Sequence, residues 1–313
     1  MKSYYRIFLG KASIYAKDCF EGGFVGTDFG LPIDLTDKLP DEWRNFNKEF
    51  IPKFLENNPE KTKVAAGLAC GAIWTVSKGM NNGDTVLSPD GSGRYRIGEV
   101  TGDYYYKPSD ILFHRRPIAW TDKYIDRSDM SDELKNSTGS IGTVSNITKH
   151  AQQIESLING DTRPQQNNLS ENIEDPTAFA MENHLEAFLI ENWKHTELGN
   201  DYDIYSDDDG TIGQQFQTDT GPMDILASSK DGNILLVIEL KKGRASDVVV
   251  GQTLRYMGYV KDVLAEEHQE VKGLIIALSD DKKLQRALVT LNGSIDFYRY
   301  EVSFNLRKVS SEF

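Results

Sequence analysis

Cysteine is nearly absent. Of 313 residues only Cys19 and Cys70 are cysteines, and they show no paired spacing. This excludes a disulfide framework and a zinc knuckle, and it fits a reducing compartment such as the cytoplasm. No stretch approaches about 20 apolar residues, so no membrane-spanning helix is expected. The opening MKSYYRIFLGKAS has no long apolar run of the kind that marks a secretory signal. Basic charge is in deficit, with 35 Lys+Arg against 48 Asp+Glu and a net charge of -13. Such a balance argues against indiscriminate nucleic-acid binding, which depends on phosphate neutralisation. It does not exclude a local basic groove, and carboxylates that hold a divalent cation count as negative in the same sum. There is no internal repeat and no long low-complexity tract.

The length suggests two domains of ordinary size, and 39% hydrophobic residues are enough for sizeable cores. The charge deficit is uneven. Residues 1–158 carry 20 Lys+Arg against 21 Asp+Glu, and residues 159–313 carry 15 against 27. The polar, Pro164-containing stretch NGDTRPQQNNLSENIED reads as a linker, which divides the chain into domains 1–158 and 177–313 joined by 159–176.

The first half reads as α+β. Lys2–Leu9 is a short alternating strand. Asp41–Asn57 carries Trp43, Phe46, Phe50 and Phe54 at helical spacing, and the Ala-rich Lys63–Lys78 is a second helix. Strands follow at Thr85–Ser88, Tyr95–Gly102, Tyr104–Lys107 and His114–Trp120, separated by glycine turns, which suggests a small, partly closed barrel. Asn136–Asn146 is rich in Ser, Thr and Gly, and Ile147–Ile158 reads as a closing helix.

The second half has a clearer rhythm. Ala178–Trp193 is an amphipathic helix with Leu185, Phe188, Leu189 and Trp193 on one face. Met223–Ser228 and Ile234–Lys241 form a hairpin about the loop Lys230–Asn233. A helix over Ser246–Glu267, a strand over Leu274–Leu278, a helix over Lys282–Leu291 and a strand over Ser294–Phe304 complete it. Helices flanking a mixed sheet fit this order.

Chemistry gathers on the strand Ile234–Lys241. Five apolar residues in a row read as a strand buried on both faces, and Glu239 and Lys241, two apart, then project to the same side. Buried charges must be paired or must bind a metal. Asp224, on the partner strand of the hairpin, is placed to join them. Two carboxylates brought together from adjacent strands repel unless a cation stands between them. Hard oxygen ligands with room for water suit Mg²⁺ or Mn²⁺, and the Leu240 carbonyl is a further candidate ligand. Lys241 can orient a water and stabilise a pentavalent phosphate. Gln252 and Tyr256, four apart, share one helix face, and Arg255 can reach phosphate from the same flank.

These residues form the set of the PD-(D/E)XK nuclease superfamily. From Glu182 to Lys308 the chain resembles the C-terminal domain of the NucS-type endonuclease family, through HLEAFLIENW, GQQFQTDTGPMDILA, VIELKKGRASDVVVGQTLRYMGYVKDVLAE and FYRYEVSF. The resemblance implies a restriction-endonuclease-like α/β fold. It also implies a metal site at Asp224 and Glu239, a catalytic Lys241, an acidic residue of the preceding helix at Glu186, and a Gln252 and Tyr256 pair. Met223 separates Pro222 from Asp224, a departure from the superfamily's nominal pattern that leaves the carboxylate in place.

In the first half, GDTVLSPDGSGRYRIGEVTGDYYY and HRRPIAW resemble the small barrels of the PUA-like class, which includes the EVE and YTH domains. That resemblance implies an aromatic cage for an extruded base, for which Trp43, Trp74, Tyr105 and Trp120 are the candidates. Arg115 and Arg116, with Arg244 and Arg255 of the second half, are the candidate phosphate contacts. Together these expectations describe a Mg²⁺-dependent endonuclease of double-stranded, base-modified DNA in restriction or defence against phage, acting as a homodimer and away from membranes. The alternatives are a repair endonuclease for mismatched or branched DNA, and a DNA-binding module with a silent site.

Overall fold

The computed structural model describes residues 2–140, 142–160, 185–207, 210–211 and 213–301. The expected linker, 159–176, lies outside the described residues from position 161 onward. So do the first turns of the helix expected over 178–193, residues 208, 209 and 212, and the chain beyond 301. No helix among the described residues is long and apolar enough to cross a membrane.

The first half begins with β1 (Tyr4–Ile7), α1 (Ala16–Gly22) and β2 (Phe24–Thr27), and continues through α2 (Trp43–Asn57) and α3 (Lys63–Trp74). Then come β3 (Thr85–Pro89), β4 (Arg94–Val100), β5 (Tyr105–Tyr106), β6 (His114–Asp126), α4 (Asp132–Gly139), β7 (Val144–Asn146) and α5 (Ala151–Ile158). Seven strands make one sheet in the order β2-β6-β4-β3-β1-β7, with β5 beside β6. The long β6 turns this sheet. Its first residues pair with β2 and β5, and the stretch from Ile118 to Asp126 pairs with β4.

Three features depart from expectation or add to it. β1 is buried along its whole length instead of alternating, and Arg6 within it is fully buried. Its guanidinium donates to the Ser140 and Ser145 hydroxyls, each at 2.7 Å. Second, the Ser/Thr/Gly-rich stretch Asn136–Asn146 begins inside α4 and ends in β7. Ser131 caps α4 by accepting from the Leu134 N–H at 3.3 Å, Leu134 is fully buried, and the Thr138 hydroxyl donates to the Leu134 carbonyl at 2.7 Å. Hydroxyls that suggest a turn are thus satisfied locally inside a helix. Third, β6 runs six residues past Trp120.

The second half holds α6 (185–192), α7 (Leu198–Asp201), β8 (Tyr202–Ile204), the small pair β9 (Ser206–Asp207) and β10 (Gly210–Thr211), β11 (Gln214–Thr218), β12 (Gly221–Ser229), β13 (Ile234–Arg244), α8 (Asp247–Tyr259), β14 (Glu270–Ser279), α9 (Lys282–Val289) and β15 (Ile295–Arg299). The mixed sheet expected here is present, in the order β11-β12-β13-β14-β15 with β8 beside β12. β13 lies at its centre, antiparallel to β12 and parallel to β14. Phe188, expected on the apolar face of α6, is 59% exposed, whereas Leu189 and Trp193 are buried.

Alternation along β13 sends its side chains into two cores. Leu236, Ile238 and Leu240 pack with Leu189 and Trp193. Leu235 and Val237 pack on the other face beneath α8, and there they meet Phe46, Phe50, Phe54, Val64 and Ile73 from α2 and α3. One core therefore contains residues from both halves of the chain. Polar contacts follow the same boundary: Arg44 Nε reaches Asp219 Oδ2 at 2.6 Å, Lys63 Nζ donates to the Ala265 carbonyl at 2.8 Å, and the Tyr205 hydroxyl donates to Thr62 at 2.6 Å. Gly67 allows this approach, since a Cβ there would come within 2.3 Å of Leu264.

A shared core predicts shared stability. Phe50→Ala leaves a cavity in the first half and should cost about 3–5 kcal/mol. Hydrogen exchange should then speed up in β13 and β14 as well as in α2. Unchanged protection in β13 would mean that the two halves unfold independently.

Candidate active site

The register of the β12–β13 hairpin sets Ile225 opposite Ile238 and Leu226 opposite Val237. The next step brings Asp224 beside Glu239. Asp224 Oδ2 accepts from the Leu240 N–H at 2.8 Å, which pins the carboxylate against the central strand. Glu239 continues the series Leu235, Val237 toward the α8 face and is 1% exposed. Its Oε2 accepts from Lys241 Nζ at 3.4 Å, and its Oε1 is buried without a hydrogen-bond partner. A buried carboxylate oxygen with no donor is costly, and it marks a place where a cation or a donor belongs.

Helix α8 closes the site from above. The Lys241 ammonium is 3.4 Å from Gln252 Oε1, and the Tyr256 hydroxyl donates to the Pro222 carbonyl at 2.8 Å. Spacing by four puts both residues on the sheet side of the helix, where Tyr256 is 4% exposed. Ser246 stands at the N-cap position of this helix without a side-chain capping bond.

Glu186 approaches from α6 at the sheet edge. Its Oε1 accepts from Gln214 Nε2 and its Oε2 from Gln215 Nε2, both at 2.8 Å. The same Gln215 amide reaches Asp224 Oδ1 at 3.2 Å, so it stands between the two carboxylates. Gln215 holds a left-handed backbone with φ 47°, a conformation that a side chain this size adopts only when its surroundings impose it. The resemblance includes the stretch GQQFQTDTGPMDILA but implies no role for either glutamine. GQQFQ reads as an ordinary polar strand, and only the folded register turns two amides onto Glu186. Among the described residues, no three His, Cys, Asp or Glu side chains are drawn tightly enough to hold a metal ion. The Gln215 amide keeps Glu186 from joining Asp224 and Glu239.

Burial, followed by the nearby Asp224 carboxylate, pushes the Glu239 carboxyl up to about 8 and the Glu186 carboxyl up to about 7. Lys241 opposes the rise at Glu239, and the two glutamine amides oppose it at Glu186. A bound divalent cation would reverse the balance.

The arginines separate into two groups. Arg244 and Arg255 are exposed on the site's flank, Arg244 within 3.5 Å of Asp281. Arg115 and Arg116 do not fit the phosphate-contact expectation. They are 3% and 5% exposed, and their guanidiniums donate to the carbonyls of Ile111 and Leu112, and of Ser77 and Gly102. Their donors are spent inside the protein, on these carbonyls and, for Arg115, also on Asp110 at 3.2 Å, as befits buried cations. The four aromatic residues do not form one cage. Trp43 and Trp74 stack with centroids 6.1 Å apart, Trp120 packs edge-on against Phe20 and donates to the Cys19 carbonyl, and Tyr105 sits half-exposed on β5.

The raised carboxyls set a pH dependence. A carboxyl whose folded-state value lies above the ordinary 4.5 favours the folded state below that pH and loses this contribution as pH rises through the folded value. Metal-free protein should therefore lose stability between pH 4.5 and 8, by up to about 1.4 kcal/mol per pH unit for each group. Urea unfolding in chelator at pH 5, 6, 7 and 8 should show a shallower fall for Glu239→Gln. Identical slopes would mean that Glu239 titrates as an ordinary glutamate.

Comparisons with known proteins bear on each half separately. No curated protein matches the chain. Solved structures similar to it include the following. A complex of EndoMS with double-stranded DNA shares 13% identity, with 67% of this chain and 62% of that one covered and a TM-score of 0.30. EndoMS in its apo form shares 21%, with 42% and 46% covered and a TM-score of 0.27. A repair endonuclease from Pyrococcus abyssi shares 15%, with 66% and 78% covered and a TM-score of 0.30. The chain thus spans less than two thirds of the length of either EndoMS chain. Residues 5–148 match the family model described as a domain of unknown function (DUF8426), which lends no support to the PUA-like expectation. Residues 181–308, which carry Glu186, Asp224, Glu239 and Lys241, match the family model described as the endonuclease NucS C-terminal domain.

Proposed function

We propose that the chain is a metal-dependent DNA endonuclease that hydrolyses phosphodiester bonds. The observation that carries this reading is the orphaned, fully buried Oε1 of Glu239 beside Asp224 and Lys241, within the segment that matches the NucS C-terminal domain. The donors are hard oxygens from adjacent strands, which suits Mg²⁺ or Mn²⁺. Asp224 and Glu239, with the Leu240 carbonyl, would hold the ion, and Glu186 would join once the Gln215 amide gives way. When bound, such an ion supplies charge stabilisation for a phosphate under attack.

The chain's own groups do the rest. The Leu240 N–H fixes Asp224, and Gln252 fixes the Lys241 ammonium beside Glu239. From there Lys241 can hold a water in line with the scissile phosphate and stabilise charge on its oxygens. Arg244 and Arg255 flank the site in solvent and can meet neighbouring phosphates.

On this reading the first half restricts the cutter by reading a base drawn out of double-stranded DNA, and the activity serves modification-dependent restriction or defence. A homodimer would supply two sites for cutting two strands. A second reading, repair of mismatched or branched DNA, is supported by the NucS-domain match of residues 181–308.

Two measurements test the proposal. Asp224→Ala, Glu239→Ala and Lys241→Ala should each reduce Mg²⁺-dependent cleavage at least 10²-fold, with DNA binding in chelator retained. Full cutting by all three would overturn the site. Plasmid or phage DNA carrying 5-methylcytosine, hydroxymethylcytosine, glucosylated bases or N6-methyladenine should be cut in preference to unmodified DNA. Equal cutting of all of these, with preference for mismatched or branched duplexes, would favour the repair reading.

A further inference from the structure

A cavity of about 510 Å³ opens where the two largest cores meet. Phe54 and Ala69 on its wall belong to the core shared with the second half, and Ala72, Leu112 and Val144 belong to the core of the first. Protein interiors are close-packed, and a space this large falls within the range of about 300–1,000 Å³ typical of small-molecule sites. Helix α3 makes the room by presenting Ala65, Ala69, Gly71 and Ala72. Gly71 is essential to the shape, because a Cβ there would lie 2.1 Å from the Trp43 ring.

Three further observations mark the cavity as a binding site. The first is strain. Ala12, Phe29 and Leu112 line it with φ of 51°, 45° and 45°, in the left-handed region that such side chains avoid. Strained backbone of this kind persists where surroundings over-determine it, and it gathers at ligand sites. The second is an unmet polar group. Thr27 lines the cavity, is 1% exposed, and its hydroxyl has no hydrogen-bond partner. The third is composition: Phe8, Phe29, Trp43 and Phe54 supply aromatic surface, and Lys11, Asp28, Lys61 and Gln217 place polar groups on the same wall. Flat apolar walls with a small number of polar groups suit a planar heterocycle with polar edges.

We propose that this cavity binds a nucleobase, carried either on an extruded nucleotide of DNA or on a free nucleoside or nucleotide. The choice of a nucleobase rests on the endonuclease reading, whereas the existence of a site rests on the cavity alone. The site differs from the cage expected from sequence, since of those four aromatic residues only Trp43 borders it. It also touches the nuclease half directly. Gln217 of β11 lines it, accepts from the Asn146 N–H at 3.4 Å and donates to the Gln215 carbonyl at 3.0 Å. Gln215 is the residue whose amide stands between Glu186 and Asp224.

Binding is measured apart from cleavage, with full-length Asp224→Ala protein in chelator. The probes are free deoxynucleosides with and without 5-methyl or N6-methyl groups, the corresponding 5′-monophosphates, and duplexes carrying a central 2-aminopurine whose fluorescence reports extrusion. Saturable binding in either arm is expected, and the arm that binds identifies the source. Ala69→Phe, which fills the cavity, should weaken it at least tenfold, and the near-isosteric Thr27→Val several-fold. Circular dichroism checks the fold of both, and Thr27→Val carries the test if Ala69→Phe fails to fold. No saturable binding in either arm, or unchanged binding in the folded variants, would overturn the proposal without touching the cleavage result.

Discussion

Three carboxylates gathered at the end of a buried strand, two of them held out of water, are the constraint around which this molecule is built. Removing even one carboxylate from solvent costs several kcal/mol unless partners replace the lost hydration. Here the replacements come from every side: a backbone N–H for Asp224, an ammonium for Glu239, and two glutamine amides for Glu186. The compensation is incomplete, because one Glu239 oxygen faces no donor. Leaving one buried carboxylate oxygen unmet costs stability in the folded chain on its own.

That arrangement needs a rigid and dry platform, and the sheet's two cores provide it. α6 covers one face of β13. The face carrying Glu239 and Lys241 lies beneath α8, with α2 and α3 from the opposite end of the sequence packed against the same layer. The helices of the first half are therefore part of the support of the site as well as neighbours of the first sheet. Asp219, between β11 and β12, is held by Arg44 of α2, so the hairpin that delivers Asp224 is anchored across the boundary.

Much of this was legible in the residues. The apolar run Ile234–Ile238 marked a central strand, the loop Lys230–Asn233 marked a hairpin, and alternation then placed Glu239 and Lys241 on one side with Asp224 opposite. Spacing by four placed Gln252 and Tyr256 together. Contacts distant in sequence were not legible. Periodicity identifies an apolar stripe on α2 but cannot say which sheet it covers. Gln215 looked ordinary because its importance lies in a left-handed backbone and a bridging amide, which are products of tertiary structure. Arg115 and Arg116 suggested phosphate contacts because arginine is usually exposed. Their burial follows from the carbonyls that β6 and its neighbours offer them.

The shared core also governs what happens to a damaged chain. Synthesis delivers α2 and α3 well before β13, so the cover is made first and the central strand is completed against it. Loss of the first half, by cleavage in the stretch between the halves, would bare Leu235, Val237 and the underside of α8 to water. The remaining fragment would lose the apolar burial that holds Asp224 and Glu239 in register, and would collapse or aggregate. The dependence is thus built into the packing itself: a second half separated from the first loses the cover that supports its central sheet.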